Sequence, residues 1–231
     1  MVRHPLTLLT NEVRPLSIQP EHTVLLLQDA HAPFADPDHG YLARKAREKV
    51  LLREFDEYFD TLRMVAPNFP KLITAAHKHR IKVMFSSFGH AAADEPSAFQ
   101  RATGWDWDLS SPDGEFPPDW MPDPERGDAV FAKPGWSALG NPAFADRLDE
   151  LRVETVILAG TMLEFGIVHT AYDLQDRGAG VLVVSDAVVA LTYAGGRQAS
   201  GSMAHGLIKL RSTAETLDLL ARLDDEGAVL V

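Results

Sequence analysis

Residues 153–187 read VETVILAGTMLEFGIVHTAYDLQDRGAGVLVVSDA. Thr155–Ala159 (TVILA) and Gly180–Ser185 (GVLVVS) are nearly continuous apolar runs, the pattern of strands covered on both faces in a parallel sheet. Between them Phe165–Arg177 reads as a helix, with Gly178 as its stop. Strand, helix, strand in that order calls for a right-handed crossover and puts ligand chemistry where strands end and helices begin.

The same alternation extends outward. Thr23–Gln28 (TVLLLQ) and Ile81–Phe85 (IKVMF) are further buried strands, Ala129–Ala132 (AVFA) a weaker one, and Ala228–Val231 is taken as the sixth. Leu51, Phe55, Phe59 and Leu62 recur at helical spacing until Pro67, and a second helix with Leu72, Ala75 and Ala76 begins near Pro70. Pro142–Leu151 and Thr213–Leu223 complete the helices, the latter capped by Ser212. The expected fold class is α/β: a three-layer α/β/α sandwich of Rossmann-like topology, with a mostly parallel, roughly six-stranded sheet in a single domain spanning residues 1–231. Two stretches interrupt the pattern. Residues 86–128 are rich in Pro, Gly, Asp and Trp, and read either as a lid or as a surface excursion clustered around Trp105, Trp107 and Trp120. Residues 41–64 form a helical embellishment whose amphipathic pattern suits either the core or a partner subunit, making the apolar face from Leu51 to Leu62 a candidate dimer contact.

Composition narrows the chemistry. With 231 residues, 45% of them apolar, the chain can bury a substantial core. Its 33 acidic against 22 basic side chains give a net charge of −11, which repels nucleic-acid phosphates and anionic lipid and favours a small-molecule substrate. No cysteine is present, so disulfides, thiolate metal sites and a thiol nucleophile are excluded. Neither a signal-peptide core nor a run of about 20 apolar residues occurs, and the expectation is a cytoplasmic protein without a membrane partner.

Three strand ends carry candidate chemistry. Asp29 follows TVLLLQ and reads either as an acid facing the crevice or as a turn residue. Lys133 closes AVFA, oddly placed for a solubilising charge unless the strand lies at an edge. The junction Gly160–Gly166 leads into a helix, whose first turn offers unpaired N–H groups to an anion or oxyanion.

The order of these features, with the strings TVLLLQDAHAPF, VAPNFPKLITAAHKHRIKVMFS, AVFAKPGWSAL and the one quoted first, resembles the isochorismatase-like hydrolase superfamily, or cysteine hydrolases, over almost the whole chain. By that resemblance Asp29 and Lys133 stand at the family's acid and lysine, and Gly166 stands where most members carry a nucleophilic cysteine. Without that thiol, amide hydrolysis through an acyl-enzyme is excluded. Thr161 is the nearest substitute, but no base is evident for it. The resemblance extends to a branch, the isochorismatases of siderophore and phenazine pathways, which also carries glycine here and hydrolyses a vinyl ether. It implies a protonated Asp29 that delivers a proton to the vinyl carbon, water capturing the oxocarbenium ion, with Lys133 setting the protonation of Asp29 and orienting substrate. Three departures remove contacts for an anionic substrate: Gly135 replaces a basic residue, Glu164 a histidine, and Ser86, Ser87 and Phe88 stand where a glutamine is expected. Isochorismate is therefore not the expected substrate.

Phe34, Phe88, Trp136, Met162, Glu164 and Phe165 are the expected substrate contacts, with ordinary core packing as the competing role for the apolar ones. The resemblance also implies a cis peptide between Thr161 and Met162, and a dimer or higher homo-oligomer. No metal or cofactor is expected. His90, Asp94 and Glu95 offer a single histidine where metal-binding relatives have more, and His31, His39, His169 and His205 read as structural or pocket residues. Two functions follow: a hydrolase working by acid catalysis on an enol or vinyl ether in specialised metabolism, or a catalytically silent binding or assembly protein on the same fold.

Overall fold

In the computed structural model, which describes residues 16–49, 53–205, 207–223 and 228–230, the apolar runs become strands because both their faces are covered. In chain order these are β1 (Leu16–Ile18), β2 (Thr23–Gln28), β3 (Lys82–Phe88), β4 (Ala129–Lys133), β5 (Thr155–Thr161), β6 (Gly180–Val189), β7 (Lys209–Arg211) and β8 (Ala228–Leu230). Six form one sheet in the order β4-β3-β2-β5-β6-β7, and every pairing in it is parallel. Every residue of β2 and β5 is buried, which is why neither alternates in sequence.

The helices are α1 (Ala32–Ala35), α2 (Gly40–Arg47), α3 (Asp56–Val65), α4 (Phe69–Lys78), α5 (Ala98–Thr103), α6 (Pro142–Glu150), α7 (Val168–Asp176), α8 (Tyr193–His205) and α9 (Thr213–Ala221). Leu25, Leu27, Val83, Phe85 and Ile157 on one sheet face pack against Tyr58, Leu62, Phe69, Leu72 and Leu220 of α3, α4 and α9. The alternate residues Val24, Leu26, Met84, Val156 and Leu158 pack against Phe144, Leu148, Ala171 and Leu174 of α6 and α7. The result is the expected three-layer sandwich. From β2 the chain builds β3 and β4 on one side and returns to β5 on the other, so the crevice of this sheet opens at the carboxyl end of β2.

Several expectations change. The final strand does not join the main sheet: β8 pairs antiparallel with β1, while the sixth place belongs to β7. That strand has only three residues, all half-buried, too few to stand out as an apolar run. Helix α8 is built from YAGGRQASGSMAH, whose glycines and serines hide its helical character until Met203 is buried against the sheet. Part of the apolar face of α3 is used within the chain: Tyr58 and Leu62 are buried in its own core, with Phe55 and Phe59 half-buried beside them; Leu51 lies outside the described residues. After β3, the long excursion does not gather its tryptophans into a cluster of its own. Trp105 and Trp107 stack with centroids 6.2 Å apart, whereas Trp120 meets Phe69 at 5.4 Å and donates its indole N–H to Ala30 O at 2.7 Å. This segment packs onto the carboxyl ends of the strands.

Candidate active site

Asp29 is the first residue past β2 and adopts a left-handed conformation, φ +50°, uncommon for a non-glycine residue. Neighbouring side chains on a straight strand diverge to opposite faces. The turn at Asp29 lets its carboxylate and the side chain of Gln28 converge on Gly166. The turn is held by Asp29 N–H donating to Ser86 O at 2.7 Å and by the Thr161 hydroxyl donating to Asp29 O at 2.8 Å. Thr161, the substitute nucleophile, is thereby engaged in backbone support.

The carboxylate of Asp29 bridges two strand ends. Its Oδ1 accepts the Phe88 N–H at 2.7 Å, and its Oδ2 lies 2.7 Å from Lys133 Nζ. Lys133 is wholly buried, and its ammonium also donates to Gly135 O and Trp136 O, each at 3.0 Å. An ammonium has three donors, so Lys133 has none left for a substrate. In this arrangement what Lys133 does is hold Asp29. Burial pushes the Asp29 carboxyl above its ordinary value, opposed by Lys133 and by the Phe88 N–H; burial pushes Lys133 down, opposed by Asp29. The proton affinities of the two groups are drawn toward each other.

Gly166 lies in a wide helical turn, Leu163–Ile167, that runs into α7. The Thr161–Met162 peptide is trans, contrary to expectation: Met162 is extended, and its carbonyl accepts the N–H groups of Phe165 and Ile167, so the turn closes from a trans link. Nor is the space at Gly166 open. A Cβ there would lie 2.3 Å from Gln28 Nε2, 3.2 Å from Asp29 Oδ2 and 3.4 Å from Thr161 O. Gln28, unremarkable in sequence except as a polar end to an apolar strand, fills the place of a side chain at 166.

Its orientation is set by a short chain of hydrogen bonds. Thr170 Oγ1 accepts the Ala138 N–H at 3.0 Å and donates to Gln28 Oε1 at 2.6 Å, leaving Nε2 toward Gly166 and Asp29. The flipped amide would set a carbonyl oxygen against a carboxylate. Gln28 Nε2 is near enough to Asp29 to favour its ionised form, yet it is buried without a hydrogen bond of sound geometry. Leaving such a donor unpaired costs about 1–3 kcal/mol.

Aromatic side chains cover this group. Phe88 lies with its ring 5.1 Å from Lys133 Nζ; Trp136 stacks on Phe165 at 4.9 Å and meets Phe99 at 5.0 Å. Phe34 and Met162 line an adjacent cavity of about 40 Å³ with Tyr58, Trp105, Trp107 and Leu191. The Glu164 carboxylate accepts the N–H groups of Leu191 and Thr192 at 2.8 and 3.0 Å, ahead of α8. His31 is buried, with Nε2 3.0 Å from Phe88 O, and burial lowers its pKa to about 3. Elsewhere His39 pairs with Asp113 at 3.3 Å, His169 Nδ1 lies 2.7 Å from Phe165 O, and His90 sits between the carbonyls of Ala91 and Asp106. Among the described residues no three potential metal ligands cluster, and no helix is long and apolar enough to cross a membrane.

The structure thus brings together, in a parallel α/β sandwich, a buried acid–lysine pair at the strand ends and a helix-start glycine. A family model for the isochorismatase domain matches residues 49–215, and the chain belongs to that family. A solved cysteine hydrolase from Pseudomonas syringae pv. phaseolicola 1448A is 19% identical, with TM-score 0.73 over 90% of this chain and 98% of that one. An isochorismatase family protein from Desulfovibrio vulgaris is 21% identical, with TM-score 0.68 over 87% and 99%. A nicotinamidase/pyrazinamidase from Bacillus subtilis is 16% identical, with TM-score 0.65 over 82% and 99%. None of the curated proteins matches.

Proposed function

We propose that this chain is a hydrolase of the isochorismatase family that works without a covalent intermediate, Asp29 acting as a general acid on an enol or vinyl ether. The observation that carries the reading is the wholly buried Asp29–Lys133 pair, 2.7 Å apart, beside a residue with no side chain to attack with. An ion pair taken fully out of water is a costly feature for a fold that needs only stability. Burial raises the proton affinity of the carboxyl, against the pull of Lys133, the Phe88 N–H and Gln28, and that is the direction acid catalysis needs. Proton transfer from Asp29 to the terminal vinyl carbon would give an oxocarbenium ion. Water adds to it, its proton returns to Asp29, and the hemiketal or hemiacetal collapses to a carbonyl compound and an alcohol. Isochorismate is not the substrate in this reading. The donors of Lys133 are all taken, Glu164 is turned away, and Arg44 and Lys45, which lie over Tyr41, face Asp106 and Glu48. Specialised metabolism, a cytoplasmic location and a homo-oligomer go with this reading.

Release of carbonyl product from a panel of vinyl ethers, followed against pH, tests it. Turnover should fall as pH rises through the elevated pKa of Asp29, and Asp29→Asn should lose about 10²–10⁴-fold. Unchanged turnover in Asp29→Asn, or brisk turnover of isochorismate, refutes the reading. The rival, a catalytically silent binding or assembly protein, is favoured by one observation: the Gln28 amide occupies the place above Gly166. Ligands that stabilise the wild type and Asp29→Asn alike and are converted by neither would support it.

A further inference from the structure

Among the described residues the buried side-chain atoms at these strand ends without a hydrogen-bond partner are Gln28 Nε2, His31 Nδ1, Ser86 Oγ and Ser87 Oγ, and of these Gln28 Nε2 is the one set against Gly166. The Asp29 carboxylate takes the Phe88 N–H and Lys133 Nζ. Lys133 divides its remaining donors between Gly135 O and Trp136 O. The hydroxyls of Thr161 and Thr170 donate to Asp29 O and Gln28 Oε1. Gln28 Nε2, wholly buried and bordering both Gly166 and Asp29, makes no hydrogen bond of sound geometry, its polar neighbour being the Asp29 carboxylate that it helps keep ionised. Buried polar groups without partners are rare in native structures and concentrate where a ligand completes them.

We propose that Gln28 is the substrate-orienting group of this site: its amide N–H stands in place of the family's nucleophile at 166 and donates to an uncharged oxygen of the ligand, an ether or carbonyl, beside Asp29. The inference rests on the reading of Asp29, Lys133 and Gly166 as the reaction site. It also defines the ligand class. An amide binds an oxygen acceptor without supplying charge, and the adjoining cavity is lined by Phe34, Tyr58, Trp105, Trp107, Met162 and Leu191. The ligand is therefore a neutral molecule with a single oxygen acceptor on an apolar body; an anion would meet Asp29 with no free cation to offset it.

The test uses the full chain labelled with ¹⁵N and two probes of similar size, cyclohexanone and cyclohexanecarboxylate. The Gln28 side-chain amide signals are assigned by their absence from Gln28→Leu. Cyclohexanone should shift these signals and bind Gln28→Leu and Gln28→Glu about three- to tenfold more weakly than wild type, the range expected for one neutral hydrogen bond. Cyclohexanecarboxylate should leave the signals unmoved. Gln28→Glu retains the acceptor for Thr170, and the wild-type shift itself needs no variant fold. Cyclohexanone that moves no Gln28 signal, that binds the variants as tightly as wild type, or that is matched by the carboxylate overturns the inference. If Asp29→Asn keeps full turnover while cyclohexanone binding still depends on Gln28, acid catalysis fails and the Gln28 site stands.

Discussion

Adding a single methyl group at Gly166 tests whether Gln28 occupies that place. In Gly166→Ala the new Cβ would start 2.3 Å from Gln28 Nε2, where ordinary contact begins at 3.4 Å. The amide must withdraw, and its 2.6 Å bond with Thr170 goes with it. Overpacking of this kind costs about 1–3 kcal/mol and the lost hydrogen bond about 1, against a helix-propensity gain of about 1 at most. The net is a loss of about 1–3 kcal/mol, and each kcal/mol lowers Tm by roughly 2–4 °C in a chain of this size. In a Gln28→Ala background the 2.3 Å approach is gone and the 3.2 Å approach to Asp29 Oδ2 remains, so the same substitution should cost clearly less than in the wild type. Urea denaturation of the wild type, both single variants and the double variant gives the coupling directly. Additivity within about 0.5 kcal/mol would mean the two residues do not compete for the space, and the role given to Gln28 would fall with it.

Lys133→Met leaves the Asp29 carboxylate buried without its partner and should cost about 3–5 kcal/mol in denaturant melts, much of it recovered by adding Asp29→Asn; equal instability of the single and double variants would deny the pair. His31 stays neutral in the fold down to about pH 3, while an unfolded histidine takes up its proton near 6.5. Between those values the unfolded state binds the extra proton, so stability is fully present above pH 6.5 and falls as pH drops. From pH 7 to pH 5 this histidine should account for about 2 kcal/mol, a loss absent in His31→Gln; parallel stability profiles for the two chains would contradict its burial as a neutral group. Glu164→Ala should destabilise by about 0.5–2 kcal/mol through the uncapped Leu191 and Thr192 N–H groups while KM stays unchanged, and a raised KM would return Glu164 to the site.

Local pattern alone specified the architecture. Continuous apolar runs ending at Gln28 and at Ala159, with a helical period between Phe165 and Arg177, leave few alternatives to a parallel sheet under two layers of helices, because period and length are properties of neighbouring residues. Asp29 was legible as a charge closing the buried strand β2; Lys133 closes β4, which lies at the edge of the sheet, so its burial was not written in the strand pattern. Short or compositionally bland elements were not legible: β7 has three residues, and the glycines of α8 conceal its period. The partnerships within the site depended on which elements the tertiary structure brings together. Three strand ends and a helix start meet at one point, and there the donors of Lys133 are exhausted, Glu164 is drawn to the start of α8, and Gln28 turns its amide into the place at Gly166. A hydrogen-bond donor serves whichever acceptor the folded chain sets beside it, and no spacing along the sequence records that choice.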